Sequence, residues 1–193
     1  AETAWLQGLA DRHGFPHGAV VRASLHQPDV ESELERQTQF AIVRGVRDIL
    51  NWHKNPAVSY IERSDLLTDP AWLRGFALLK KFNLSFDMQL YPLQMMDAAA
   101  VARRHPDVPV ILNHAGMPVD RDVESLEHWR KGMRALAACD NVTVKVSGLG
   151  MVDWNWTTES IRPFVLETID IFGVDRSMFA SNFPVDQIYS DFA

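Results

Sequence analysis

The chain has 193 residues, is 47% hydrophobic and 23% charged, and carries a net charge of −6. That is room for one good core, and acidic and basic residues are mixed along the chain, so there is no basic face to make nucleic acid a natural partner. No apolar run approaches the roughly 20 residues that span a membrane, and the amino end, Ala1 to Trp5, has neither the basic nor the apolar segment of a signal peptide. The sequence opens on Ala1 rather than Met, so the natural amino end is expected further upstream. The lone cysteine, Cys139, can form no internal disulfide; it is expected as a small buried apolar residue in a reducing compartment, which points to the cytoplasm.

Residues 2–13 have helical spacing in Trp5, Leu6 and Leu9, with His13 and Gly14 as a stop. Residues 19–25 read as a strand, 30–41 as a helix and 43–50 as the next strand, followed by a polar loop from Asn51 to Pro56. Asp69 is placed to cap a helix running to about Lys81, with Pro70 at its first position. Residues 84–90 alternate as a strand does, and 93–104 are helical up to Pro106. A short apolar run, Val110 to Leu112, then ends abruptly in Asn113 and His114. A helix over about 123–138 leads to a period-two strand over 141–147. A loop rich in Trp and Gly follows, then a helix over about 159–172 with Thr158 as its expected cap. The last strand runs from about Ser177 to Asn182. Six strands alternating with helices predict an α/β fold, with parallel strands, outer helices and one domain over 1–193. No glycine-rich phosphate loop follows the first strand.

The carboxyl ends of parallel strands are where such folds place their chemistry. Here those ends offer Arg47, Gln89, Tyr91, His114, Lys145, Ser147 and Asn182. Lys145 lies between Val144 and Val146 and so faces away from the valines. Two readings are open for it: an inner ion pair with Asp87, or a group in use by a site. Arg44 and Arg47, three apart, face opposite sides; the inward one, expected to be Arg47, suits a bidentate grip on a carboxylate. His53 follows its strand by four loop residues and could reach the same mouth, where Trp52, Trp154 and Trp156 could wall a pocket.

Taken in order, Val43–Leu50, Leu84–Asp87, Leu112 to Pro118, Val144 to Leu149 and Met178 to Val185 resemble successive strand motifs of the amidohydrolase 2 family, which are TIM-barrel hydrolases that include lactonases. The resemblance implies a (β/α)8 barrel seen in part, with these six strands standing as its third to eighth, and an open barrel of that kind is expected to be poorly stable alone. It implies a hydrolase that opens a lactone or cyclic ester of a small sugar acid or dicarboxylic acid. His114 would polarise the carbonyl or ligate one divalent metal, Zn or Mn; metal-free members are also known. Lys145 would stabilise the oxyanion, with Arg47, His53, Gln89, Tyr91 and Trp154 around the substrate. The family's His-x-His pair has no counterpart here, and the last strand's usual Asp, the base that activates water, is replaced by Asn182, which cannot take a proton. Asp186 is the candidate substitute. Two alternatives follow from that change: a metal-dependent decarboxylase of the same superfamily, and a catalytically degenerate, ligand-binding barrel. A small molecule is the expected partner; nothing in the sequence speaks to oligomeric state.

Overall fold

The computed structural model describes residues 2–188, 190 and 191. Six strands form one sheet in sequential order, β1 (Ala19–Arg22), β2 (Val43–Ile49), β3 (Ser85–Gln89), β4 (Val110–Leu112), β5 (Val142–Val146) and β6 (Ser177–Phe179). Every neighbouring pair is parallel, because each strand is followed by a helix that returns the chain to the same end of the sheet. The helices are α1 (Glu2–His13), α2 (Val30–Thr38), α3 (Pro70–Lys81), α4 (Met95–Arg104), α5 (Val123–Ala137) and α6 (Thr158–Phe172). This is the α/β order of a (β/α)8 barrel, present in part.

Period-two alternation splits the sheet into two unlike faces. The outer face carries Val46, Phe86, Met88, Val110, Leu112, Val142 and Val144, all fully buried against the helices. Trp72 and Phe76 of α3 pack there on Phe86, with ring centroids 5.2–5.7 Å apart, the spacing at which aromatic pairs attract beyond their buried area. Gly75 lets α3 approach this closely, since a Cβ there would lie 2.0 Å from the Leu25 carbonyl oxygen. The inner face, set by register, carries Arg22, Arg47, Asp87, Ile111, Thr143 and Lys145. Three of its apolar members, Val20, Ile49 and Met178, are 38–41% exposed. The core therefore lies between sheet and helices.

The strands are shorter than the alternation predicts. β6 ends at Phe179 rather than Asn182, and β4 ends where Asn113, whose N–H still reaches the Met88 carbonyl at 2.8 Å, gives way to a turn. Two helix starts also differ. Thr157, not Thr158, caps α6, exchanging side-chain hydrogen bonds with Ser160. The segment expected to begin a helix at Leu93 is first a 3-10 turn, Pro92–Gln94, because the Gln94 amide oxygen accepts the Trp52 and Tyr91 N–H groups. Asp69 caps α3 as expected, accepting from Ala71 and Trp72, with Pro70 behind it. Cys139 is buried. Among the described residues no helix is long and apolar enough to cross a membrane.

One outer-face residue, Asp48, is a buried carboxylic acid. Asp48 Oδ2 accepts the Trp72 indole N–H at 3.0 Å and the Leu25 N–H at 3.2 Å. Burial raises its pKa, outweighing those two hydrogen bonds. With the folded pKa above the unfolded one, this residue's contribution is most favourable in acid and declines as pH rises between the two values. Asp48→Asn keeps an acceptor oxygen without the charge, so its melting temperature at neutral pH should equal or exceed the parent's. Asp48→Ala strands two buried donors and should cost roughly 1–3 kcal/mol. Thermal melts of both variants across pH check this; a neutral-pH loss in the Asn variant as large as in the Ala variant would refute it.

Candidate active site

At the carboxyl end of β4 the chain makes a turn that its residues do not favour. His114, Ala115 and Met117 have φ of 57°, 49° and 45°, the left-handed region that costs a side-chain-bearing residue roughly 1–2 kcal/mol. Such strain persists only where the surroundings over-determine it. Here Trp129 of α5 donates its indole N–H to the Ala115 carbonyl at 2.8 Å, and Ser147 at the end of β5 holds His114 Nδ1 at 2.9 Å. Gly148, itself at φ 61°, lies against the imidazole: a Cβ there would sit 2.5 Å from Nδ1. His114 is buried, and its pKa is lowered to about 4, first by that burial and then by Arg47 and Lys145. Its ring is neutral at physiological pH.

Beside it on the inner face is a cluster built on Asp87, which is 1% exposed. Its Oδ2 accepts Arg47 Nη2 at 3.0 Å and Lys145 Nζ at 2.6 Å. The inner ion pair is thus formed, and it has a second cation. Arg44 faces the other way and donates to the Ala41 carbonyl. The pairing uses only part of either cation. Lys145 keeps two further N–H groups, and Arg47 keeps the rest of its fork, including a buried Nε with no hydrogen-bond partner. Gln89 follows Asp87 on the same face. Arg22, which the sequence reading passed over, is the register partner of Arg47 on β1 and adds a third cation. Asn113 is fully buried with neither amide atom bonded.

The other expected residues lie in separate groups. His53 is buried: its Nδ1 accepts the Asn55 N–H at 3.1 Å, so Nε2 carries the proton that Asp120 holds at 2.9 Å. Tyr91 packs edge-on to it, 6.0 Å between centroids, and donates its hydroxyl to the Val58 carbonyl at 2.7 Å. Both line a cavity of about 280 Å³ with His128 and Leu93. Asn182, at φ 53°, donates its amide to Asp186 Oδ1 at 2.6 Å. Asp186 in turn lines a cavity of about 350 Å³ together with Ser147, Gly148 and Trp156, which places it next to the wall that holds His114. Trp154 is 73% exposed.

His114 can supply one metal ligand, but among the described residues no three His, Cys, Asp or Glu side chains are grouped to hold an ion. These residues do not by themselves make a metal site.

Gly148→Ala tests how tightly His114 is held. The substitution adds left-handed strain of about 1–2 kcal/mol and an overpacking cost of about 1–3 kcal/mol against the ring. A denaturant melt should show the sum, and a variant as stable as the parent would mean the imidazole is not wedged there.

Comparison with known proteins identifies the family. An amidohydrolase family model, Amidohydro_2, matches residues 2–188. An uncharacterized protein of Sinorhizobium fredii, y4mH, is 51% identical over 191 residues, which is 99% of this chain and 64% of that one. An L-fucono-1,5-lactonase of Burkholderia ambifaria is 26% identical over 198 residues, covering 99% of this chain and 63% of its own length. The chain thus spans just under two thirds of the length of these relatives. A crystal structure of an amidohydrolase from Burkholderia multivorans with bound zinc superposes with a TM-score of 0.81 at 27% identity, over 98% of this chain and 66% of that one. With nearly its whole length matched by that family model, the chain belongs to the amidohydrolase family.

Proposed function

We propose that the inner face of this sheet opens a lactone or similar cyclic ester of a small, negatively charged acid. The observation that carries the reading is the Asp87 cluster: two cations held together at strand ends, with donors to spare, beside a neutral, buried histidine. The lactonase name of the Burkholderia relative supports ring-ester opening as the chemistry; the carboxylate gripped by Arg47 is one that the substrate carries outside its lactone ring, as a lactone of a dicarboxylic acid does.

In this mechanism the spare N–H groups of Arg47 grip the substrate's carboxylate. His114 hydrogen-bonds the lactone carbonyl oxygen and polarises it. A water oxygen attacks the carbonyl carbon, and negative charge gathers on the carbonyl oxygen, where Lys145 stabilises it. The ring C–O bond then breaks, and the departing ring oxygen takes up a proton, leaving a hydroxy acid. The proton from water needs a base. Asn182 cannot accept it, but it holds Asp186 by a hydrogen bond, and that carboxylate can. A second reading rests on the same amide: releasing carbon dioxide from an unsaturated acid needs no base to activate water.

Acid release from lactones, followed in the intact protein with a pH indicator, tests the first reading; carbon dioxide release tests the second. Lys145→Ala should lower kcat by about 10²–10³-fold, the effect of deleting one oxyanion donor. The fold should survive, since Arg47 still neutralises Asp87. An unchanged rate would remove Lys145 from the mechanism. Asp87→Ala leaves both cations without their partner and should lower activity and stability together.

A further inference from the structure

Ser147 ends β5 with its side chain against His114, 2.9 Å from Oγ to Nδ1. The residue is buried, and that nitrogen is the one hydrogen-bond partner of its hydroxyl among the described residues. A hydroxyl has a single proton to donate, and buried donors find acceptors. Were the ring proton on Nδ1, it would point at Oγ and leave the serine proton with no acceptor among the described residues. With a lone pair on Nδ1, the hydroxyl donates to it and the bond is complete. An imidazole with a lone pair on Nδ1 carries its one hydrogen on the other nitrogen, Nε2. Gly148 leaves no side chain between Ser147 and the ring edge. Because Nδ1 is occupied, Nε2 is the nitrogen left to meet a ligand.

We infer that Ser147 is a positioning residue whose hydroxyl fixes His114 as the Nε2–H tautomer, so that the ring offers a donor rather than a lone pair to the carbonyl oxygen of a bound substrate. The final clause rests on the lactone reading; the tautomer does not. The assignment has a consequence for proton transfer. A ring that presents N–H cannot also take a proton from water, so that role falls to another group, such as Asp186.

The test is a long-range ¹H–¹⁵N correlation spectrum of the intact, chelator-treated protein labelled at histidine, with His114→Gln used to assign the His114 ring. The expected result is a single neutral ring protonated at Nε2. In Ser147→Ala the ring should lose that fixed pattern and show a mixture of tautomers. In the same variant kcat should fall about 10–100-fold, the usual cost of losing a group that orients a working histidine, with KM little changed. Ser147→Thr, which keeps the hydroxyl, should restore both. A parent ring protonated at Nδ1 overturns the inference, as does a Ser147→Ala variant that keeps a fixed Nε2–H ring and full kcat. If the parent opens no lactone, the proposed activity fails while the spectrum still decides the tautomer.

Discussion

A carboxylate placed inside a protein loses several kcal/mol of solvation, and Asp87, almost wholly enclosed, has to recover that from its neighbours. It does so with two cations on opposite sides. Arg47 is its register partner on β2. Lys145 is on β5, with the whole of β4 between. Adjacent strands stand about 4.8 Å apart, so a pair that skips a strand closes most readily when the sheet is concave toward it. The ion pair is in this sense a property of the curved inner face rather than of any one strand. It also aims the ammonium of Lys145 and the guanidinium of Arg47 at one place, close enough to His114 to oppose its protonation.

That same demand explains why the two faces of the sheet look so different. The outer face is closed by stacked rings and aliphatics, and its single carboxylate, Asp48, is tolerated only because an indole and a backbone N–H meet it. The inner face encloses its carboxylate but keeps the cations Arg47 and Lys145 partly in solvent, with Val20, Ile49 and Met178 partly exposed beside them. Parallel strands that alternate this sharply are building a lined surface on one side and a core on the other, and the chemistry-bearing side chains belong to the lining.

Much of this was legible in the residues. Val144 and Val146 around Lys145 fix which way the lysine faces, three-residue spacing separates Arg44 from Arg47, and an Asp before Pro starts α3 where it should. What could not be read depends on contacts far apart in sequence. Nothing in His114-Ala-Gly-Met advertises three left-handed residues other than glycine; the turn is imposed by Trp129 and Ser147. His53 reads as a loop histidine until Asp120, 67 residues on, closes over it. Arg22 escaped notice because its strand was read as longer than it is, which hid its place opposite Arg47. Local periodicity sets direction; it does not choose partners.

Charge makes the last connection. The whole chain carries −6, yet the inner face of its strands gathers Arg22, Arg47 and Lys145 against one carboxylate, Asp87. In a molecule of net negative charge, a patch of opposite sign concentrates anions locally. A neutral histidine suits such a place better than a charged one: an imidazolium would add to the crowding of cations, whereas a neutral ring still donates a hydrogen bond to an oxygen gaining charge. The depressed basicity of His114 and the excess of cations around it are therefore two consequences of the same arrangement, one that the proposed lactone chemistry would use to hold an anion beside an uncharged hydrogen-bond donor.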